Sequence, residues 1–389
     1  MSKPHVIVIG AGFTGVATAH DLALRGFEVT VVERGPIVNG TSGRTHGLLH
    51  CGGRYCVKDQ ESAIECIEEN WILRKIVPQV IEPNGGMFVA LDDNDIEYGE
   101  SWTAGCDACN IPYERLTPKE ALEIEPNLNP DILLAYSVPD GTFDPLRLAL
   151  AFAATAKSNG AIFRLYTDVT ELLMDGQGTV TGVKIWDRSA DERGELFADV
   201  VVNATGAWSG QIAEMAGAYV PIQPTPGVMV AYDRRLVSRV INRLCEPSDG
   251  DIVLPQRRMV VVGTTSYDVE DLDYVPVNEE HVQLMLERGS ELLPTLRNTN
   301  SRGIFVATRP LIGAGIPGRS VARTFKCFDH KENDGIDGFV TITGGKATTL
   351  RMMAEKTTDM VCQKLGVSVE CRTAEVPLLS YRQFYALQN

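Results

Sequence analysis

A chain of 389 residues, 44% of them hydrophobic, can fill one large core or two ordinary ones, and its formal net charge of -15 is the wrong sign for holding a nucleic-acid backbone. No apolar run approaches the roughly 20 residues of a membrane-spanning helix, and the apolar start HVIVIG is too short and wrongly flanked for a signal peptide, so a cytoplasmic protein is expected. Nine scattered cysteines suit a reducing compartment, and the lone CxxC of Cys106 and Cys109 reads as two ordinary cysteines, with no metal expected, because no second pair stands at metal spacing.

In chain order, HVIVIG is a buried-strand run, FTGVATAHDLALRG has helical periodicity ending at a glycine, and FEVTVVE is a second strand. Together they form a βαβ unit of Rossmann type. Gly10, Gly12 and Gly15 stand as GxGxxG between the first strand and the helix, and Glu33 closes the second strand. That context is the dinucleotide fingerprint: the first glycine makes the tight turn, the second admits a pyrophosphate, the third lets helix meet strand, and the acid accepts from ribose hydroxyls. The loop GLLHCGGRY follows, with Gly47, Gly52 and Gly53 able to bring the backbone close to something and with His50, Arg54 and Tyr55 able to titrate, carry charge and donate.

A helix is expected around ESAIECIEENWILRKIV, then short strands and turns through GGMFVALDD and AYSVPDGTFD. DPLRLALAFAATAKSNGAIF through VVVNATGAW returns to helix and strand, so the nucleotide-binding fold resumes after an insertion. From about Val220 to Leu311 the text is strand-like, with one helix in NEEHVQLMLERGSELL, and the chain closes on the strand, glycine turn and helix of GFVTITGGKATTLRMMAEKTTDMVCQKLG. The expected domains are therefore discontinuous: 1–80, 145–219 and 325–375 for the nucleotide, 81–144 and 220–324 for a substrate sheet, and 376–389 as a tail.

GxGxxG alone leaves NAD and FAD open. VVVNATGAW resembles the ATG segment of flavoproteins, and TITGGKATTL puts Gly344 and Gly345 at a helix start, where backbone N–H groups and the helix dipole could stabilise the negative charge of a reduced flavin. The stretches GRTHGLLHCGGRY, ESAIECIEEN, VPDGTFDPLRL, CEPSDGDIVLP, GTTS, TRPL, ARTF and DGFVTITGGKATTLRMMAE extend the likeness over nearly the whole chain. It resembles the FAD-dependent glycerol-3-phosphate dehydrogenases, most closely the catalytic A subunit of the anaerobic enzyme.

That resemblance implies an α/β fold: a Rossmann-like FAD-binding domain of the D-amino-acid-oxidase and glutathione-reductase type with an inserted antiparallel β-sheet substrate domain. It implies non-covalent FAD held by Gly10, Gly12, Thr14, Gly15, Glu33, Arg34, Thr41, Ser42, His46, Gly47, Leu48, Val169, Ala204, Thr205, Gly206, Gly344, Gly345, Lys346, Ala347 and Thr348. It makes Arg54, Tyr55, Arg309, Arg323 and Lys346 substrate contacts, with Arg54 and Arg323 on the phosphate of glycerol 3-phosphate. Hydride would pass from C2 to flavin N5, giving dihydroxyacetone phosphate. His50 is the natural base, with Arg309 and Lys346 able to stabilise a forming alkoxide.

Four cations converging in an acidic protein are expected to need an anionic ligand to offset their repulsion. The family's cysteine-rich C-terminal extension, expected to carry an iron–sulfur cluster, has no counterpart before Asn389. Electrons are therefore expected to leave through an iron–sulfur, membrane-anchoring partner, with peripheral association at the inner face of the cytoplasmic membrane. Two other readings stay open: a flavin oxidase of amines or hydroxy acids, and a FAD-bearing component serving in electron relay or assembly.

Overall fold

The computed structural model describes residues 3–269, 271–313 and 324–387. Its first sheet has six strands in the order Phe325–Asp329, Phe339–Gly344, Val200–Asn203, His5–Ile9, Glu28–Val32, Ile162–Arg164. Five run parallel, and only the edge strand Phe325–Asp329 is antiparallel to its neighbour. Val8 pairs with Val31 on one side and Val202 on the other, so the first strand lies at the centre.

The continuous apolar run of that strand is explained by its two faces. Val6 and Val8 pack with the helices Phe13–Leu24, Pro145–Ser158 and Leu350–Leu365, while Ile7 and Ile9 pack beneath a three-stranded antiparallel meander, Thr167–Met174, Val180–Asp187 and Glu192–Phe197. A strand covered on both sides has no polar alternation to show. The helix Pro145–Ser158 begins with proline at its first turn and Asp144 accepting from the Arg147 N–H, and Leu350–Leu365 ends at Gly366 with φ 63°.

The second sheet has eight strands: Ser301–Ile312, Ile222–Tyr232, Met259–Gly263, Ile252–Gln256, Val240–Arg243, Gly86–Ala90, Leu134–Val138 and Glu114–Leu116. It is antiparallel except where Val240–Arg243 meets Gly86–Ala90. That parallel pairing is the seam between two separately inserted stretches of chain, which no hairpin constrains to run antiparallel. Val228, Val230, Val260 and Val262 pack under the helix Glu279–Leu292 through Val282 and Met285. The opposite face, with Met229, Ile252 and Ala307, turns toward the first sheet.

Two helices depart from the expected short strands and turns, the seven-residue Pro118–Ile124 and the 16-residue Asp93–Ala108. The longer one, Asp93–Ala108, is the less legible. Its apolar periodicity is weak because small residues make its contacts. A Cβ on Gly105 would lie 2.6 Å from the Cys56 carbonyl oxygen, and only Trp102 supplies a large buried side chain. Cys106 and Cys109 sit in this core, with Cys106 Sγ 3.8 Å from Cys56 Sγ.

Candidate active site

Between the two sheets lies a cavity of about 1600 Å³. Its floor is made by the carboxyl ends of the parallel strands, where Gly10, Glu33, Ala204 and Gly345 follow His5–Ile9, Glu28–Val32, Val200–Asn203 and Phe339–Gly344. Ligands of open α/β sheets bind at this end, because the chain reverses there and leaves helix N-termini facing the crevice.

Gly10 has φ 101°, and a Cβ there would meet the Ala204 carbonyl at 2.9 Å, so only glycine allows the two cofactor-facing turns to touch. At Gly15 an added Cβ would overlap the Gly10 carbonyl oxygen, which is the helix-to-strand contact foreseen for the third glycine. The helix Phe13–Leu24 starts at Gly12 with no side-chain cap, and Phe13 N–H donates to Ser42 Oγ at 3.0 Å. Its uncapped first turn faces the cavity through Gly12 and Thr14, as an anion-binding end requires.

Glu33 accepts from Ala11 N–H and Gly35 N–H, each at 2.8 Å and on different carboxylate oxygens. Each oxygen retains a second lone-pair direction for a ribose hydroxyl. Arg34 stacks on Trp208, 4.5 Å from the ring centroid, and both side chains donate to Asp273 Oδ1, at 3.0 and 3.1 Å. These features fit a dinucleotide laid along the floor.

Thr41, Ser42, His46, Leu48, Val169, Thr205, Gly206, Gly344, Lys346 and Ala347 also line the cavity. Gly15, Gly47 and Thr348 do not: Gly15 packs on the Gly10 carbonyl, Gly47 has φ 81° and packs against Phe143 and Gln256, and Thr348 is buried and accepts from His50 N–H at 3.1 Å. Gly52 and Gly53 likewise approach protein. A Cβ on Gly52 would strike the Ala63 carbonyl, and one on Gly53 would lie 2.9 Å from the Phe88 ring. Arg323 lies outside the described residues.

The glycine turn also differs from expectation. The helix begins at Leu350, after a 3-10 turn Ala347–Thr349. Gly345 N–H is taken by the Thr324 carbonyl at 3.1 Å and Lys346 N–H by Thr349 Oγ1 at 3.2 Å. The helix start is thus displaced from the two glycines.

His50, Arg54, Tyr55, Arg309 and Lys346 share one wall of the cavity. The His50 ring is 5.4 Å from the Tyr55 ring, and Lys346 Nζ lies 5.2 Å from the centroid of the same phenol. Arg309 stands on Ser301–Ile312 opposite Thr225 and donates to the Thr225 and Thr265 carbonyls at 3.4 and 3.1 Å. Gly227 makes room for it, since a Cβ there would lie 2.7 Å from Arg309 Nη2.

Two carboxylates already offset part of the charge that these cations were expected to leave to a ligand. Arg54 Nη2 is 2.9 Å from Asp251 Oδ1, both side chains nearly buried, and Lys346 Nζ is 3.5 Å from Glu65 Oε2. Burial pushes the Glu65 carboxyl up, and Lys346 pulls it partly back. Sequence reasoning missed both carboxylates, although Asp251 stands in the conspicuous stretch CEPSDGDIVLP.

His46 is a neutral member of the wall. Burial, aided by the charges of Arg309 and Arg54, pushes its imidazole down to about 3. Its Nδ1 accepts from Leu48 N–H at 3.1 Å, which leaves the proton on Nε2.

A family model described as FAD dependent oxidoreductase matches residues 5–351. The chain belongs to this family. It is a flavoprotein oxidoreductase, and the cavity geometry accommodates the FAD the family uses. Among relatives, it is 45% identical to the A1 subunit of the anaerobic glycerol-3-phosphate dehydrogenase of Haloferax volcanii, over all of this chain and 68% of that protein. It is 42% identical to the A subunit of the same enzyme from Escherichia coli K12, over 96% of this chain and 69% of that one. Among solved structures, the glycerol-3-phosphate dehydrogenase of Bacillus halodurans complexed with FAD aligns with a TM-score of 0.74 and 26% identity, covering 97% of this chain and 68% of that one.

Proposed function

We propose that this flavoprotein oxidises sn-glycerol 3-phosphate to dihydroxyacetone phosphate. The observation that carries the reading is Arg54: a guanidinium on the cavity wall, its side chain nearly buried, that spends only Nη2 on Asp251 among the described residues. Its Nε and Nη1 donors are left to a ligand, each for a single charge-assisted hydrogen bond to an anionic oxygen. The resemblance adds Arg323 to the same phosphate, and the relatives' names supply the substrate.

Bound FAD supplies the acceptor for the hydride of C2. Tyr55, across from Lys346 and His50, offers a hydroxyl to the ester. His50 takes the C2 hydroxyl proton, and Arg309 and Lys346 stabilise the oxygen as its negative charge grows. Gly10, Gly12, Thr14 and Glu33 would hold the pyrophosphate and ribose, with Arg34 and Trp208 on the adenosine side of the cavity. A flavin held without a covalent bond is expected, and acid should then release the colour into the supernatant.

The relatives are named as A subunits, which supports a place in a multi-subunit enzyme. In this reading an iron–sulfur-bearing, membrane-associated partner carries the electrons to quinone; no helix among the described residues is long and apolar enough to cross a membrane. Anaerobic stopped-flow bleaching of the flavin by glycerol 3-phosphate, glycerol, 2-hydroxy acids and amines tests the substrate. Fast bleaching by glycerol 3-phosphate alone is expected, and faster bleaching by an amine or hydroxy acid would overturn the reading.

A further inference from the structure

His50 lies just beyond the two-residue strand Leu48–Leu49, so no sheet ladder holds its peptide groups. Buried side chains do so instead. His50 N–H donates to Thr348 Oγ1 at 3.1 Å, and the next amide, Cys51 N–H, donates to Asp140 Oδ1 at 2.7 Å. The His50 carbonyl accepts from Asn70 Nδ2 at 3.0 Å, and the same nitrogen reaches the carbonyls of Leu49 and Pro139 at 3.3 and 3.2 Å.

Asn70 belongs to the helix Gln60–Ile76 and is fully buried. Its orientation is decided chemically: the atom facing three carbonyls must be the amide nitrogen, and the atom facing Arg74 Nε at 2.7 Å must be the oxygen. Arg74 in turn donates to the Pro139 and Asp140 carbonyls at 2.8 and 2.9 Å, closing the network. One carboxamide thus joins the His50 loop, the turn carrying Asp140 and a rigid helix. We propose that Asn70 is a positioning residue for His50: it sets where the imidazole stands in the cavity and, on the assignment of His50 as proton acceptor, sustains the oxidation without touching the substrate.

Asn70→Asp tests this, because a carboxylate keeps Arg74 but presents no donor to the three carbonyls. Flavin reduction is followed anaerobically with whichever compound of the substrate panel reduces the wild type, in the native, Asn70→Asp, His50→Asn and doubly substituted proteins. The limiting rate of Asn70→Asp should fall about 10-fold or more, with half-saturation moved less than about threefold. In the His50→Asn background the same change should cost less than about twofold, since the residue it positions is gone.

The imidazole NMR signal that His50→Asn removes should also shift in Asn70→Asp, which reads placement with no substrate present. Asn70→Ser, which keeps one donor, covers the case in which the aspartate variant does not fold. Equal losses in both backgrounds, an unmoved imidazole signal, or a His50→Asn rate within about threefold of wild type would each overturn the proposal. Only failure of glycerol 3-phosphate to bleach the native flavin bears on the substrate.

Discussion

His20 sits in the helix whose first turn faces the cofactor cavity, fully buried against the edge of Phe152 at 5.8 Å. Neither of its ring nitrogens has a hydrogen-bond partner among the described residues. Burial pushes its pKa from 6.5 down to about 4. The folded protein therefore refuses a proton that the unfolded chain accepts, so stability is whole above pH 6.5 and is lost as pH falls from there toward 4, below which the loss stops growing. A displacement of that size corresponds to about 3 kcal/mol in full, and to about 2 kcal/mol at pH 5. His20→Leu removes the titrating group while keeping an apolar side chain of similar bulk. Urea denaturation of both proteins with saturating FAD should show the variant no less stable at pH 7.5 and ahead by about 2 kcal/mol at pH 5. Taking the difference between the two proteins cancels the carboxylates that titrate in the same range. Parallel stability curves would refute the reasoning, since they would mean that His20 finds a proton-bearing partner or a path to water.

Gly15→Ala should give a folded protein with FAD affinity reduced at least tenfold by calorimetric titration, because the added methyl forces the phosphate-facing helix off the first strand; retained affinity would disprove that contact. Glu33→Ala should weaken FAD binding by about 1.5–3 kcal/mol through the lost charged acceptor, and an unchanged dissociation constant would leave Glu33 a purely structural brace for Ala11 and Gly35. Arg54→Ala should raise the KM for glycerol 3-phosphate by about tenfold or more while the oxidised flavin spectrum stays constant, and equal kinetics would remove Arg54 from the substrate site.

The dinucleotide half of the molecule is legible in the sequence because its signals are local. Gly10, Gly12, Gly15 and Glu33 lie within one βαβ unit, each with a conformational or bonding demand that few residue types meet. The cavity wall is legible in part: His50, Arg54, Tyr55, Arg309 and Lys346 do converge. Their counter-charges are not, since Arg54 and Asp251 stand 197 positions apart and nothing in either neighbourhood names the other. The helix Asp93–Ala108 is hard to see because glycines and cysteines, not a stripe of leucines, form its contact face, although Asp92 accepting from Asp95 N–H and Asp95 accepting from Leu91 N–H amount to a start signal. Residue type alone makes Gly52 and Gly53 look ligand-facing, when the crowding they relieve comes from Ala63, Phe88 and Trp102.

The central position of the first strand has a consequence for how the chain is made. His5–Ile9 is made well before one of its partners, Val200–Asn203, which in turn has Phe339–Gly344 beside it. At about 5–20 residues per second, the strand waits on the order of tens of seconds for Phe339–Gly344, with its sheet still incomplete. The cofactor turn cannot close before Ala204 has been made, because Gly10 rests on it. Flavin loading is thereby tied to the synthesis of the chain at least as far as Ala204.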